Sequence, residues 1–543
     1  MTTNMKIKDI LRDDFTVTGD IEREIFGIAY DSRSVKDGFL FFAVKGEKAD
    51  GHDFIGDAID KGAAAVVYDK SRDISAYAKE RPDIAWIGVP DCRDAMAFIS
   101  HRFYRRPSEG LEVIGITGTN GKTTTSYLIK SVFEKWGKSA GLIGTISYLI
   151  KDKVYEAPHT TPESPDFQAL LREMSDKGCS HVVAEVSSHA LSQKRADYTK
   201  FRAAVFTNLT RDHLDFHPTM EDYFRAKERL FLELLAEDGI AIINCDDPSG
   251  ERLIADLKFK NIKTITYAVN NKDADVRACD IKSAFKGTAF KVRAKDEEFE
   301  ISSPLVGITN VYNVLSAVCA ALSLNIPIET IKEGIAMTGL VRGRFEKVDM
   351  GQDFLAVVDY AHTEDALERL LLTARQLLDA YRFAKKTEEL MREKREQFAA
   401  VERACEKGKI ITVFGCGGNR DKGKRSRMGE IAAKLSDFVI VTSDNPRSED
   451  PKGIIRDIEK GIAGDNYIII PDRKVAISMA VELASSGDIV LVAGKGHEDY
   501  QEVGGVRHKF SDRSALEHAI KRTINRPSFG GGTTYAGAET GRC

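Results

Sequence analysis

Eight cysteines in 543 residues, none in a Cys-x-x-Cys pair, leave this chain without a disulfide framework or a zinc-ligand spacing. They are scattered at 92, 179, 245, 279, 319, 405, 416 and 543, which suits a reducing cytoplasm. Long apolar runs are missing too. No stretch of about 18 apolar residues occurs, so no helical membrane span is expected. The opening MTTNMKIKDILRDDF has no apolar core, so no secretory signal is expected. Charge of one sign is also lacking: 79 basic against 83 acidic residues give −4. That balance offers no global attraction to nucleic acid or to an anionic membrane, so an anionic ligand has to be held by local groups. With 42% hydrophobic and 30% charged residues the composition is that of a folded, soluble chain, long enough for about three domains.

Alternation of apolar runs with helical patterns predicts an α/β fold in three domains. Residues 1–108 contain Phe39–Val44, Ala63–Val67 and Ala85–Val89, a small α/β domain that ends at Arg105-Arg106-Pro107. Residues 109–338 contain Val113–Ile116, His181–Glu185, Ala203–Phe206 and Ile240–Ile243, which predict a parallel sheet covered by helices. Residues 339–525 resume the pattern at Leu355–Val358, Ile410–Phe414, Phe438–Val441 and Ile489–Val492, a doubly wound, Rossmann-like domain. Two segments depart from it. Residues from about 370 to 408 are rich in Ala, Glu, Lys, Arg and Leu, which predicts an inserted long helix or helical hairpin. The tail 526–543 has too little apolar content to pack and reads as disordered.

The strongest chemical signal is Gly115-Ile-Thr-Gly118-Thr119-Asn120-Gly121-Lys122-Thr123-Thr124, between an apolar strand and a helical pattern. Small residues there let backbone N–H groups point at phosphate oxygens, and the helix N-terminus favours negative charge. Lys122 is placed to reach the β/γ-phosphates, and Thr123 or Thr124 offers a hydroxyl to Mg²⁺. The glycines fall at 115 and 118, not at the strict Walker position 116, so the loop is a variant. Glu185, at the carboxyl end of a strand, is a candidate Mg²⁺ ligand. His213, in Thr207-Asn-Leu-Thr-Arg-Asp212-His213-Leu-Asp215, is a candidate for a second metal. Lys227 lies on a helical stretch around 223–231, and its position gives it no special role by itself.

Together with Ala226-Lys227, Asn310-Val-Tyr-Asn313, Gly343-Arg-Phe-Glu346, Val358-Asp-Tyr-Ala-His-Thr363 and Gly494-Lys-Gly-His-Glu498, these motifs resemble the Mur ligases. The resemblance runs from about residue 25 to about 523, and is strongest to the branch that forms the tripeptide. It implies ligation of meso-diaminopimelate to the D-Glu γ-carboxylate of UDP-N-acetylmuramoyl-L-Ala-D-Glu in peptidoglycan synthesis, with ATP as co-substrate and Mg²⁺ as cofactor. It also implies that Lys227 is carbamylated, becoming an anion that can join Thr123 or Thr124, Glu185 and His213 around two metal ions. Lys122, Lys227, Glu185 and His213 are then the catalytic set, and Gly118, Thr119, Asn120, Gly121, Lys122, Thr123 and Thr124 the ATP loop.

By the same resemblance, Tyr30, Ser32, Glu47, Lys48 and Ala49 hold the UDP part. His159 (where asparagine is frequent), Thr160, Thr161, Ser187, Gln193 and Arg195 grip the muramoyl-dipeptide. Arg420, Asp444, Asn445, Pro446, Arg447, Gly494 and Glu498 form the amino-acid pocket. Asp-Asn-Pro-Arg at 444–447 matches the motif of diaminopimelate-adding members, whose substrate carries a second carboxylate that Arg447 can pair with bidentately. Arg342 and Glu364 stand where proline is usual. Alternatives are ligation of L-lysine, a folylpolyglutamate synthetase, and a nucleotide switch or binding module without ligase chemistry. A cytoplasmic monomer whose third domain closes over the ATP site, with no nucleic-acid or membrane partner, is the expectation.

Overall fold

A computed structural model of the protein describes residues 4–46, 49–295, 297–393 and 408–525. The expected site residues Glu47 and Lys48, the far part of the 370–408 insertion and the 526–543 tail therefore lie outside the described residues. The described residues fall into two compact units, one running to Arg342 together with Asp379–Glu388, the other formed by Gly343–Leu378 and the residues from Glu389.

The first unit contains two major sheets. The five-stranded one runs Thr16–Thr18, Ala85–Val89, Ala65–Asp69, Phe39–Phe42, Gly27–Ala29, and is parallel apart from its first strand. The eleven-stranded one has a parallel centre in which Glu112–Thr117 lies between His181–Glu185 and Phe201–Phe206, with Leu235–Asn244 next. Side chains alternate across a strand, so Val113 enters one core while Ile114 and Ile116 enter the other. A strand buried on both faces reads as a continuous apolar run, which is why this one was visible in the sequence.

The sheet is larger than expected. Antiparallel strands Ser147–Ile150 and Lys153–Glu156 extend one edge, and Gly287–Ala294 and Glu297–Ser303 the other. Central strands end together, so the residues that follow them (Gly118, Val186 and Thr207) leave the same edge.

In the second unit six strands run Glu346–Val348, Leu355–Asp359, Ile489–Ala493, Ile410–Phe414, Phe438–Val441, Tyr467–Ile469, and only the first is antiparallel. Ile489–Ala493 is inserted between two strands that precede it in the chain, a crossover of the doubly wound kind. The loops after Phe414, Val441 and Ala493 carry Arg420, Arg447 and Glu498. A helix over Glu364–Glu393 starts before the expected insertion, with the Thr363 hydroxyl accepting from the Ala366 N–H at 3.3 Å. Among the described residues no helix is long and apolar enough to cross a membrane.

Candidate functional site

Two glycines shape the phosphate loop. Gly118 has φ +141°, and a Cβ there would lie 1.9 Å from the Thr207 hydroxyl; Gly121 has φ +89°, and its Cβ would lie 2.4 Å from Asn313 Oδ1. Neither position admits a side chain. The loop is tied to the neighbouring strand end: Thr119 N–H donates to Asn208 O, Asn120 N–H to Asn208 Oδ1, and the Thr207 hydroxyl to Asn120 O. Lys122 folds back over it, donating to Gly118 O at 2.8 Å and Thr119 O at 2.9 Å.

Lys227 donates to that same Gly118 oxygen at 2.8 Å, and its ammonium lies 4.4 Å from the centre of the Tyr223 ring. It is 1% exposed. Burial pushes its pKa well below the ordinary lysine value, and Lys122 pushes it further down while Asp212 opposes. The neutral amine thus favoured is the form that attacks carbon dioxide. His213 contacts the other side of the cluster, its ring 5.9 Å from Tyr223 and 4.7 Å from His189. Burial pushes it down to about 3, against the pull of Asp212, so its imidazole is neutral at physiological pH. Its φ of +55° is a left-handed conformation that histidine seldom adopts, of the kind that concentrates at functional sites.

Glu185 is fully buried. The hydroxyls of Thr123 and Thr145 donate to one carboxylate oxygen at 2.9 and 2.8 Å, and the Thr145 N–H to the other at 3.0 Å. Of the two loop threonines left open by the sequence, Thr123 therefore reaches the acid, and Thr124 is buried beside it in the first helical turn. Thr145 was missed: it is forty positions from Glu185, and nothing local marks it. Among the described residues no three His, Cys, Asp or Glu side chains converge as a preformed metal cage. Mg²⁺ is ordinarily bound by one or two carboxylates plus phosphate oxygens and waters, so one carboxylate beside a hydroxyl fits it.

From Glu185 the network continues to the residues expected to grip the dipeptide. Thr145 and Thr160 share a hydroxyl contact at 3.1 Å, and Thr161 donates to the Glu185 main-chain oxygen and accepts from Ser187 N–H. Ser187 also caps the helix Ser188–Ser192 through Ala190 N–H. Arg195 donates to Thr161 O and twice to Gln193 Oε1, and pairs with Glu163 at 2.9 Å. Glu163, unassigned in the sequence, thus anchors the guanidinium. His159 enters through its backbone oxygen, which accepts from Tyr148.

Of the residues expected at the UDP part, Tyr30 donates to Asp166 at 2.6 Å, Ser32 is buried with its carbonyl accepting from Lys61, and Ala49 is exposed. Proximity to Asp166 and burial both push the Tyr30 phenol upward, burial contributing most.

In the second unit, Arg447 donates to Gly418 O at 2.7 Å and sits 3.9 Å from Glu502. Asn445 donates to Glu498 at 2.8 Å and accepts from Lys495 at 2.9 Å, while Lys495 pairs with Glu498 at 2.8 Å. Lys495 has no exposed surface, and its place in Gly494-Lys-Gly-His-Glu498 does not by itself mark it for a role. Burial raises the Glu498 carboxyl, and Lys495 draws it back down. Gly494, at φ +117°, keeps space for Asp444, whose carboxylate would lie 2.6 Å from a Cβ. Pro446 carries the loop and accepts the Glu449 N–H. Arg420 lies on the loop after Gly418, which is held to Asn445 by a backbone hydrogen bond of 2.9 Å. The cluster therefore carries fixed charges of both signs.

Three family profiles match in chain order: "Mur ligase family, catalytic domain" over residues 24–104, "Mur ligase middle domain" over 116–321, and "Mur ligase, glutamate ligase domain" over 391–496. A Bacillus licheniformis protein named UDP-N-acetylmuramoyl-L-alanyl-D-glutamate--2,6-diaminopimelate ligase is 42% identical over 520 residues, covering 95% of this chain and 98% of its own. A protein of the same name from Aquifex aeolicus is 42% identical over 501 residues, covering 92% and 94%. A solved structure titled with that name matches with TM-score 0.64 at 32% identity, over 96% of this chain and all of the other.

Proposed function

The chain belongs to the Mur ligase family, and from that premise we propose that it joins meso-diaminopimelate to the D-Glu γ-carboxylate of UDP-N-acetylmuramoyl-L-Ala-D-Glu, with ATP cleaved to ADP and phosphate. It is an ATP-dependent acid–amino-acid ligase of peptidoglycan synthesis. One observation supports the chemistry above the rest: Lys122 and Lys227 converge on the Gly118 carbonyl in the same strand-end cluster that holds Glu185 through Thr123 and Thr145.

In the proposed reaction Arg195, Thr160, Thr161 and Ser187 orient the dipeptide carboxylate. An oxygen of that carboxylate attacks the γ-phosphorus, the bond to the β-bridging oxygen breaks, and ADP leaves an acyl phosphate behind. Lys122 and the loop N–H groups offset charge on the moving phosphoryl group. Thr123 and Glu185, with His213 and a carbamylated Lys227, would hold Mg²⁺, whose chemistry here is charge neutralisation at the phosphate oxygens. The amine of diaminopimelate, selected in the pocket of Arg447 and Glu498, then attacks the acyl carbon. It loses a proton, and phosphate leaves from the tetrahedral intermediate.

Incubation with UDP-N-acetylmuramoyl-L-Ala-D-Glu, ATP and a panel of amino acids, read by product mass, tests this. A product heavier by one diaminopimelate residue is expected. Product with L-lysine alone would move the specificity, and ADP without any heavier peptide would remove the ligase reading.

A further inference from the structure

Arg447, expected to pair with the distal carboxylate of the amino acid, and Arg420, expected in the same pocket, lie on separate loops, after Val441 and after Phe414. Two cations that share one pocket repel each other, so something has to fix their spacing before substrate arrives. The loops are joined at their feet by a cross-link between buried Arg425 and part-exposed Glu449. Both oxygens of Glu449 accept from the Arg425 guanidinium at 3.0 Å, and Glu449 also takes the backbone N–H of Asn419. Arg425, 1% exposed, donates in addition to Gly417 O at 3.3 Å and to Asp457 at 3.1 Å.

A second clip lies alongside: the N–H and hydroxyl of Ser448 both donate to Asn419 Oδ1, at 3.2 and 2.9 Å. The contact leaves little slack. A Cβ on Gly418 would lie 2.0 Å from Pro446 O, and Asn419 and Arg447 are both held at φ +53°. Glu449 and Asn419 each adjoin, in sequence, the loop segment that bears one selector arginine.

We propose that Glu449, with Arg425, is a positioning pair that sets the spacing of Arg420 and Arg447 and so determines selectivity for an amino acid with a distal carboxylate. The inference rests on the diaminopimelate reading. Neither residue is asked to touch substrate: the acid of the pair bonds the Arg420 loop while standing two residues beyond Arg447, and a misplacement of about 1 Å in a binding group costs on the order of 100-fold.

The test is steady-state kinetics of the full chain with meso-diaminopimelate and L-lysine, with the other substrates varied in turn. Wild type has to make the diaminopimelate product first; if it uses only lysine, the parent reading has failed and not this one alone. Given that product, Glu449→Gln is expected to raise KM for diaminopimelate roughly 10- to 100-fold while KM for ATP and for the UDP-dipeptide stays within about twofold. Its ratio of diaminopimelate to lysine use should fall by the same factor. Asn419→Gly, which keeps the left-handed backbone and removes the Ser448 clip, should move the same KM in the same direction by less. If Glu449→Gln folds poorly, the Asn419→Gly result decides. An unchanged KM for diaminopimelate, or equal changes in all three KM values, overturns the proposal.

Discussion

The cations of the phosphate-loop region and those of the second unit are held in opposite ways. Lys122 and Lys227 converge on one backbone carbonyl, so each disfavours the charge of the other, and Lys227 is driven toward its neutral form. In the second unit Arg425 sits against Glu449 and Asp457, Lys495 against Glu498, and Arg473 against Asp512. Convergent like charge is what the proposed triphosphate site and the proposed carbamylation of Lys227 would use. Paired charge fixes the shape of the second unit. The difference is between cations proposed to meet a ligand and cations that hold the architecture.

The comparison is strained hardest at Arg473. Its guanidinium meets Asp512 in two bonds of 2.7 Å, and both side chains are fully buried. Arg473→Leu leaves an uncompensated buried carboxylate and should destabilise the second unit by about 3–5 kcal/mol, whereas Arg473→Leu with Asp512→Leu should recover most of it. Both tryptophans, Trp86 and Trp136, lie in the first unit. Urea unfolding should therefore show an early far-ultraviolet dichroism transition while tryptophan fluorescence keeps its midpoint. Coincident shifts in both signals would mean that the pair stabilises more than its own unit.

Lys122→Ala tests the other side. Losing a cation proposed to meet the transferred phosphoryl group should lower kcat roughly 100- to 1000-fold, about 2.7–4 kcal/mol, with stability almost unchanged. Acyl-phosphate formation, followed by phosphate release, reads the first number and thermal unfolding the second. A stability loss like that of Arg473→Leu would erase the distinction between ligand-directed and structural cations.

Legibility from sequence followed the same division between local and long-range causes. His181–Glu185, Ile410–Phe414 and Phe438–Val441 were readable with their observed bounds because strands buried on both faces are continuous apolar runs. Val276–Ala284 and the two strands after it were not, since half-exposed strands of mixed polarity give a weak alternation. The glycines, Lys122 and the pair Thr123 and Thr124 were readable because loop chemistry is contiguous, but which threonine reaches Glu185 was not. Thr145 and Glu163 were not, since each acquires its role from a partner tens of positions away. Lys227 is the instructive case. Its helix was visible, but its depressed basicity comes from burial and from Lys122, neither of which a local pattern contains.

Arg447→Ala sharpens the comparison within the second unit, because Arg447 is a pocket cation expected to meet ligand and Arg425 is not. Loss of a charged hydrogen-bonding partner for a carboxylate should weaken diaminopimelate binding by about 1.5–3 kcal/mol, seen as KM, while lysine use is little affected. The far-ultraviolet transition should stay in place. If it moves as far as for Arg473→Leu, Arg447 belongs with the architectural cations.

The remaining effect concerns a buried base of the first unit. His181 packs against Phe133 and Trp136, with ring centres 4.6 and 5.6 Å away, and burial, then Lys138, pushes its pKa down to about 4. Unfolded, it titrates near the ordinary value of about 6.5. Between those values the unfolded chain binds a proton that the folded chain does not, so stability falls as pH falls. The contribution is complete above about 6.5 and exhausted near 4, with a slope of at most about 1.36 kcal/mol per pH unit. Tryptophan-monitored unfolding of the first unit should therefore weaken across that window, and His181→Gln should flatten the slope without altering the far-ultraviolet transition of the second unit. An unaltered slope would place the acid sensitivity of the first unit elsewhere, and would mean that His181 already finds a counter-charge when it protonates.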